Sequence, residues 1–406
     1  MGGSGASGEA GLSGDAGAGH AASGAGGDAG ASGSAGDGAA SCGDVDSDPL
    51  NCGACGNVCA DGGCWRGLCR QASGGTRLVT GEYPIALAVD ADRIYWLNYI
   101  RVSLNELPHT QLKSCPLSGC LGNPKLLWDD RQDARRLAVA NGAAFWSVAD
   151  WKTAAVLSCP SNGCSGAPRT VVSLVNDYVD DFVANATSLV FSTHLGIFSC
   201  PTSGCEPTGP VALFEQTGLK SNLAIQGNEL YGLVDVPDDT KDSGQAPTLF
   251  SCPLSGCASG PTLFPTPAVK GALAVSEQTV AWVDTGELID FSATNMSDTE
   301  WDQGRVYACP LTGCVGTPTP LAQYPAWFAA QAIAVDASGV YWTQGPPGEM
   351  PGVAPSTLVR CPSGGCVAEP TALATLGTGS TNAIVLDESN VYWIDLAFGA
   401  IMKRHK

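Results

Sequence analysis

The cysteines are the residues of this chain whose spacing points most clearly to a chemistry. Eighteen are present among 406 residues, and all of them fall into short-range sets. Twelve form six Cys-Pro-x-x-Gly-Cys motifs. This spacing differs from the Cys-x-x-Cys of redox centres, and motifs on separate repeats cannot converge on one zinc ion. We therefore predict six disulfides: Cys115–Cys120, Cys159–Cys164, Cys200–Cys205, Cys252–Cys257, Cys309–Cys314 and Cys361–Cys366.

A second cysteine set lies near the start of the chain. Its six members are interleaved with Gly and Asn: Cys42, Cys52, Cys55, Cys59, Cys64 and Cys69. So short a segment has too little core to fold unaided, and three disulfides would supply the missing stability. The sequence does not choose among the alternative pairings. Cys52-x-x-Cys55 has the spacing of zinc ligands, but the segment contains no histidine, so disulfides are favoured.

Disulfides on this scale require an oxidising compartment, so we expect the protein to be exported. Yet Met1 is followed directly by Gly2 and Gly3, without the charged and apolar regions of a signal peptide, which indicates a trimmed or mis-started N-terminus. No stretch reaches the roughly 18 apolar residues of a membrane span, so attachment to a membrane would need a lipid anchor on an upstream segment. A net charge of -19 argues against nucleic acid as a partner, because phosphate binding needs a basic surface.

Seven copies of a ten-residue block are the elements that must position these cysteines. Each block is an apolar strand, a tight polar turn and a second apolar strand that ends in aromatic residues. The blocks are Leu87–Trp96, Leu137–Trp146, Phe182–Phe191, Leu223–Gly232, Leu273–Trp282, Ile333–Trp342 and Ile384–Trp393. Six of them are followed by a Cys-Pro-x-x-Gly-Cys motif with a short apolar strand on either side. Four short antiparallel strands repeated at about fifty residues predict a β-propeller.

The predicted fold is therefore all-β, a seven-bladed β-propeller at residues 76–406. The seventh block is followed by one further strand, and Thr76–Thr80 can supply its missing outer strand. We expect this N-terminal strand to close the ring, which removes the open edges of the sheet array. Ahead of the propeller we expect a disordered tether rich in Gly, Ala and Ser at residues 1–41, and a small disulfide-rich module at residues 42–70.

Two parts of the sequence resemble known families. The segment Asp48–Cys59 resembles the Asn-Cys-Gly-x-Cys-Gly-x-x-Cys module of the stigma-specific type that recurs in bacterial exported lipoproteins, which implies a location at the cell surface. The endings Tyr95-Trp96, Tyr341-Trp342-Thr343 and Tyr392-Trp393-Ile394-Asp395 resemble the Tyr-Trp-Thr-Asp repeats of lipoprotein-receptor propellers and, more loosely, NHL propellers. That resemblance implies a ligand-binding propeller. The aromatic residues themselves are expected to pack between blades.

The candidate site lies on the face of the propeller that carries the long, acidic loops. Function commonly lies on variable loops set on a rigid scaffold. The residues that enter the innermost strands from this face should line the mouth of the central channel, and we select Arg135, Asp180, Asp181, Asn222, Gln331 and Asn382 as ligand-binding candidates. Mixed charge with amides suits a polar ligand or a bound cation. We assign no cofactor; calcium is the cation that such oxygen ligands would take.

Catalytic residues are scarce in this sequence. The four histidines, His20, His109, His194 and His405, lie in the tether, in loops and at the tail, which disfavours a Ser-His-Asp set or a histidine-rich zinc site. We assign no catalytic residue and expect a monomeric, exported, surface-tethered protein that binds a protein or a glycan. The alternative is a propeller hydrolase or lyase that uses acidic residues and a divalent metal at the channel mouth.

Overall fold

The computed structural model describes thirty β-strands and covers the propeller blades most fully. The described residues are 51, 55, 62–65, 68–71, 74–100, 109–120, 122–129, 132–149, 152–215, 220–234, 248–264, 271–284, 304–313, 318, 320–324, 329–345, 356–362, 364–366, 369–376, 383–396 and 399–406. The predicted tether and most of the predicted cysteine module lie outside these residues. Within the module, Cys55 is disulfide-bonded, and β1 (Gly62–Trp65) and β2 (Leu68–Gln71) form an antiparallel hairpin.

The remaining strands form seven four-stranded antiparallel sheets, the blades. Blade 1 is β4 (Pro84–Val89), β5 (Arg93–Ile100), β6 (His109–Pro116) and β7 (Lys125–Asp129). Blade 2 is β8 (Asp133–Ala140), β9 (Ala143–Ala149), β10 (Thr153–Pro160) and β11 (Arg169–Val175). Blade 3 is β12 (Asp181–Ala184), β13 (Ser188–Thr193), β14 (Gly196–Pro201) and β15 (Val211–Glu215). Blade 4 is β16 (Lys220–Gln226), β17 (Glu229–Val234), β18 (Thr248–Pro253) and β19 (Thr262–Leu263).

The last three blades follow the same plan. Blade 5 is β20 (Leu273–Val275), β21 (Thr279–Asp284), β22 (Arg305–Pro310) and β23 (Pro320–Gln323). Blade 6 is β24 (Ala329–Asp336), β25 (Gly339–Gly345), β26 (Thr357–Cys361) and β27 (Thr371–Thr375). Blade 7 is β28 (Ile384–Leu386), β29 (Asn390–Asp395), β30 (Ala400–His405) and, outermost, β3 (Thr76–Val79).

The innermost strands close into a ring. Each contacts the innermost strand of the next blade, and β28 of blade 7 contacts β4 of blade 1. Blade 7 is completed by the N-terminal strand β3, with Thr76 opposite Lys403 and Val79 opposite Ile401. The predicted seven-bladed propeller with N-terminal strand closure is therefore confirmed. Because strands alternate in direction, the turns within each ten-residue block and the cysteine hairpins share one side, the hairpin face. All other connections share the opposite side, the loop face.

The ten-residue blocks form the inner hairpin of each blade. In six blocks the first and last residues lie opposite each other in the strand register, as Leu87 does with Trp96 and Ile333 with Trp342. The tryptophans that end five blocks are fully buried: Trp96, Trp146, Trp282, Trp342 and Trp393. They pack with apolar residues of the adjacent blades. The interpretation of these aromatics as inter-blade packing matches this arrangement.

The two blocks without tryptophan are filled in another way. In blade 4, a side chain at Gly232 would meet the ring of Phe250 at 2.7 Å, so Phe250 occupies the place that tryptophan takes elsewhere. In blade 3, Phe191 lies opposite Phe198, and their ring centroids are 5.7 Å apart. The irregular blocks therefore keep a packed core, because the neighbouring strand supplies the missing aromatic volume.

The cysteine hairpins hold adjacent blades together as well as stapling their own tips. Disulfides join five predicted pairs; Cys309 is also bonded, and its predicted partner Cys314 lies outside the described residues. At three hairpins the second cysteine donates its backbone N–H to the outer strand of the preceding blade: Cys120 to Leu78 O (3.1 Å), Cys205 to Val171 O (3.1 Å) and Cys257 to Leu213 O (3.0 Å). The hairpins therefore also contribute to holding the ring, a role that the sequence analysis did not assign to them.

The seam between blades 7 and 1 has one more contact, on the loop-face side. Glu82, in the connection from β3 to β4, accepts two hydrogen bonds from Lys113 Nζ at 2.9 and 2.8 Å. Its backbone N–H donates to Gly399 O of blade 7 at 3.0 Å. Glu82 and Lys113 are both largely buried, with side-chain exposures of 8% and 15%. We call Glu82, Lys113 and Gly399 the seam cluster.

The described residues contain no helix that is long and apolar enough to span a membrane.

Candidate functional site

A β-bulge exposes two consecutive arginines at the loop-face end of blade 2. The register between β8 and β9 shifts between Ala134 and Leu137, so Arg135 and Arg136 are outside the regular ladder. A bulge re-aims the side chains that it contains. The side chain of Arg135 is 77% exposed and that of Arg136 is 47% exposed. Arg135 pairs with Asp133, at 2.9 Å from its terminal nitrogen to Oδ2.

Arg136 reaches across to blade 3. Its Nε lies 3.3 Å from the backbone oxygen of Asp180 and 3.4 Å from Asp181 Oδ1. Asp181 in turn reaches blade 4, because its Oδ2 accepts the Leu223 N–H at 2.8 Å. Burial raises the pKa of the Asp181 carboxyl, against the lowering effect of Arg136 and of the N–H groups of Leu223 and Phe182. The carboxylate is therefore a link between three blades.

The link continues one blade further. Asn222 of blade 4 donates from Nδ2 to Gly271 O of blade 5 at 3.0 Å. Arg136, Asp181 and Asn222 each stand immediately before the ten-residue block of their blade. The other four blades have alanine at this position: Ala86, Ala272, Ala332 and Ala383. Arg136, Asp181 and Asn222 therefore form a polar arc over blades 2 to 4, at a position where the other blades place a small apolar residue.

A second group, built around Asp177, lies beside the polar arc on blade 3. Asp177 Oδ1 contacts His194 Nδ1 at 2.6 Å and accepts the backbone N–H of Tyr178 at 2.8 Å. The rings of Tyr178 and His194 are stacked, with centroids 6.2 Å apart and planes 22° apart. Tyr178 is 55% exposed, and the side chain of His194 is 47% exposed. One largely buried carboxylate thus contacts the His194 ring and the Tyr178 backbone, and the Tyr178 ring stacks on the imidazole.

Asp180 joins the two groups. Burial raises the pKa of its carboxyl, and the nearby Asp177 and Asp181 raise it further, while His194 and Arg136 lower it. The Asp180 carboxylate makes no hydrogen bond to any residue that the structure describes; only its backbone atoms do, to Ser192 and Arg136. We call Arg136, Asp177, Asp180, Asp181 and His194 the mouth cluster. It combines three carboxylates with a guanidinium and an imidazole, and part of it is open to solvent.

The remaining candidates from the sequence are not part of this cluster. Gln331 is half-buried at the entrance of blade 6, and Asn382 lies outside the described residues. Asp181 and Asn222 belong to the polar arc, and Arg135 and Asp180 each stand one residue before one of its members. Most of the long acidic loops also lie outside the description, and no group of three or more potential metal ligands is present among the residues that are described. Calcium at the mouth therefore stays a prediction.

The sequence analysis gave no role to His194, Tyr178 or Asp177 at the mouth. The available signal was the spacing of blade 3. Its second and third strands, β13 and β14, are joined by His194 and Leu195 alone. So short a turn keeps His194 next to the β11–β12 connection, which carries Asp177 and Tyr178. Among the described blades this is the shortest such turn, so less chain is present there to cover the mouth.

Comparison with solved structures places the chain among β-propellers. A prolyl endopeptidase superposes with a TM-score of 0.52 at 11% sequence identity, covering 81% of this chain and 49% of that chain. An acylaminoacyl peptidase of Pyrococcus horikoshii gives 0.51 at 10% identity, covering 80% and 52%. The β-propeller domain of the Trilobed protease from Pyrococcus furiosus gives 0.50 at 9% identity, covering 77% and 90%.

These similarities concern the fold alone, because the identities are so low. The chain spans about half the length of the two peptidases. No model of a protein family matches the sequence, and no curated protein is similar to it.

Proposed function

We propose that this protein is an exported binding protein whose ligand, a protein or a glycan, docks on the loop face at blades 2 and 3. The polar arc and the neighbouring group around Asp177 support this, since together they concentrate charged, amide and aromatic groups at blades 2 to 4. Rigid scaffolds with variable loops commonly carry binding sites in this way. The disulfides are those expected in an oxidising compartment. The tether and the cysteine module would hold the propeller at the cell surface.

The observation that carries the proposal is the exposure of ordered polar and aromatic groups on blade 3. The ring of Tyr178 stacks on His194, yet more than half of the residue is exposed. Ordering an exposed aromatic side chain has an entropic cost that packing within the fold does not return here. Aromatic residues of this kind are enriched at binding surfaces. Leu195, 50% exposed, lies beside His194 in the same turn.

One arrangement favours the alternative, a hydrolase or lyase. Asp180 and Asp181 are adjacent carboxyls whose pKa values are both raised, and His194 is oriented by Asp177 as a general base would be. We rank binding first because the half-exposed rings of Tyr178 and His194 suit the docking of a ligand and have no role in such a reaction.

The test of this proposal uses printed arrays of neutral and acidic oligosaccharides and of peptides. Labelled full-length protein is compared with Tyr178→Ala and with Lys125→Gln, a matched control on the outer strand of blade 1. We expect at least one probe to be bound by the parent and by Lys125→Gln, and lost with Tyr178→Ala. Probes bound equally by all three proteins, or by none, would contradict a site at blade 3.

The same arrays distinguish the enzyme. Bound glycans are analysed for new reducing or unsaturated ends after incubation with the parent and with Asp180→Asn. Product formation that Asp180→Asn abolishes, with folding unchanged, would replace the binding proposal by the hydrolase or lyase. Intact probes would leave the binding protein as the better description.

A further inference from the structure

The charged groups at the mouth differ in how many of their polar atoms make contacts within the protein. Arg136 employs Nε toward blade 3, which leaves the outer edge of its planar guanidinium directed away from that contact. Arg135, next to it on the bulge, makes its ion pair with Asp133 at the surface. Exposed ion pairs of this kind contribute little to stability. Two guanidinium groups on adjacent residues are therefore available to an incoming anion.

A guanidinium fork fits one class of anion especially well. Its parallel N–H groups match the two oxygens of a carboxylate, which gives strong bidentate hydrogen bonds. Arg136 is also held in place beforehand, because its backbone N–H donates to Ser147 Oγ at 3.2 Å and its Nε contacts blade 3. Such preorganisation reduces the entropy lost on binding.

The rings of Tyr178 and His194 favour a second feature in the ligand, a flat face that can pack on them. They form a stacked, half-exposed pair, and Asp177 contacts the His194 ring of that pair. A flat, partly apolar face, such as the C–H face of a sugar ring, can pack on them while its hydroxyl groups point outward. Tyrosine suits this role because its body is apolar and its tip is polar.

Asp180 supplies the third feature. Its carboxylate, which has no hydrogen-bond donor among the described residues, lies within electrostatic reach of both His194 and Arg136. Its backbone oxygen lies 3.3 Å from Arg136 Nε, and Tyr178 stands two residues before it in the chain. A carboxylate that accepts hydrogen bonds suits a ligand with hydroxyl donors. A cationic peptide would be repelled by the two arginines. An acidic peptide could donate its backbone N–H groups to Asp180, but its acidic side chains have no ring face to pack on Tyr178, whereas a sugar acid combines carboxylate, hydroxyl donors and ring in one unit.

We propose that blades 2 and 3 form a subsite for an acidic saccharide of the uronic acid class. Its carboxylate pairs with Arg135 and Arg136, its ring packs on Tyr178 and His194, and its hydroxyl groups donate to Asp180. This inference rests on the proposed binding function and specifies its ligand class. It predicts that charge and ring are both required.

The experiment is isothermal titration of the full chain with trigalacturonate and with its methyl ester, which keeps the rings and removes the charges. We expect the ester to bind at least about tenfold more weakly, because it loses the charge-assisted hydrogen bonds. Arg135→Gln and Tyr178→Ala should each weaken trigalacturonate binding by about tenfold as well. Lys125→Gln, which removes a positive charge from a distant edge strand, should bind as the parent does.

Three results would overturn the inference. Equal binding of acid and ester would show that the arginines are not used. Binding of a glutamate oligomer of equal charge as strongly as trigalacturonate would assign the site to an acidic protein segment. No binding of trigalacturonate, while the arrays find another ligand that Tyr178→Ala loses, would reject the uronic acid and leave the proposed binding function in place. Thermal unfolding of each variant checks that folding is unchanged.

Discussion

Two charged clusters lie on the loop-face side of this propeller, and they are built in opposite ways. In the seam cluster, both oxygens of Glu82 bind Lys113, and both side chains are largely buried. In the mouth cluster, Arg136 and His194 are each about half exposed, and the pKa values of Asp180 and Asp181 are raised. The first cluster is self-sufficient. The second contains unsatisfied interaction capacity, which is what a binding site requires.

The seam cluster stabilises the closure of the ring, because blade 7 is completed by a strand that is distant in sequence from its other three strands. β3 is joined to β30 by strand pairing, and Glu82 lies three residues after the end of β3. Gly399 is part of the same contact, since its φ is +52° and a side chain there would lie 2.6 Å from Glu82 O. In contrast, the backbone of blades 2 and 3 is continuous, so their polar arc is free to serve another purpose.

The largest effect that we expect is from Lys113→Met. This change leaves Glu82 buried without its partner, and removing one member of a buried ion pair costs about 3–5 kcal/mol. Urea unfolding followed by tryptophan fluorescence measures the loss in the free energy of unfolding. The double variant Glu82→Met with Lys113→Met should recover most of it. At the mouth, Arg135→Gln should change stability by less than about 0.5 kcal/mol. A mild effect of Lys113→Met, similar to that of Arg135→Gln, would remove the contrast between the clusters.

The second-largest effect that we expect is from removal of the hairpin disulfide at the seam between blades 7 and 1. Removing Cys115–Cys120 by paired alanine substitutions should cost about 2 kcal/mol from loop closure alone. A further loss is expected because Cys120 donates to Leu78 O on β3, the strand that is separated in sequence from its blade. The matched control is the pair Cys252 and Cys257, whose hairpin makes the same contact to Leu213 O on a continuous blade. Equal losses of melting temperature in both double variants would show that the seam is not specially dependent on its hairpin.

The smallest effect that we expect is that of Asp180, at the mouth, on the pH dependence of stability. Because the folded-state pKa of Asp180 is raised, its contribution to stability is present at acid pH and is lost as pH rises through that raised pKa. At neutral pH, Asp180→Asn should therefore raise the free energy of unfolding, by less than about 1 kcal/mol at this partly exposed site. The difference should shrink when pH is lowered through the ordinary carboxyl range. Calorimetric melting of both proteins across this range measures it. Greater stability of the parent at neutral pH would mean that Arg136 and His194 outweigh burial and the neighbouring carboxylates.

Most of the fold could be predicted from the ten-residue repeat. Each ten-residue block places its first and last residues on two strands joined by a tight turn, so strand register followed from local spacing. The strand Thr76–Val79 could be assigned to blade 7 for the same reason, because every other blade shows a fourth strand. The five described disulfide pairs could be predicted from the separation of five residues between their cysteines. These features are local or periodic, and sequence patterns record such information directly.

The candidate site depends on contacts between residues that are far apart in sequence, and no local sequence pattern predicts such contacts. The sequence placed Arg135, Asp180, Asp181 and Asn222 at the mouth through their position before each block. The contacts of Arg136 with Asp181, and of Asp177 with His194, join residues 45 and 17 positions apart. Likewise, Glu82 meets Gly399, 317 positions away, only after the ring has closed. Spacing along the strands determined the blades. Side-chain partnership between blades was decided by the tertiary structure, because the closed ring sets which strand ends become neighbours.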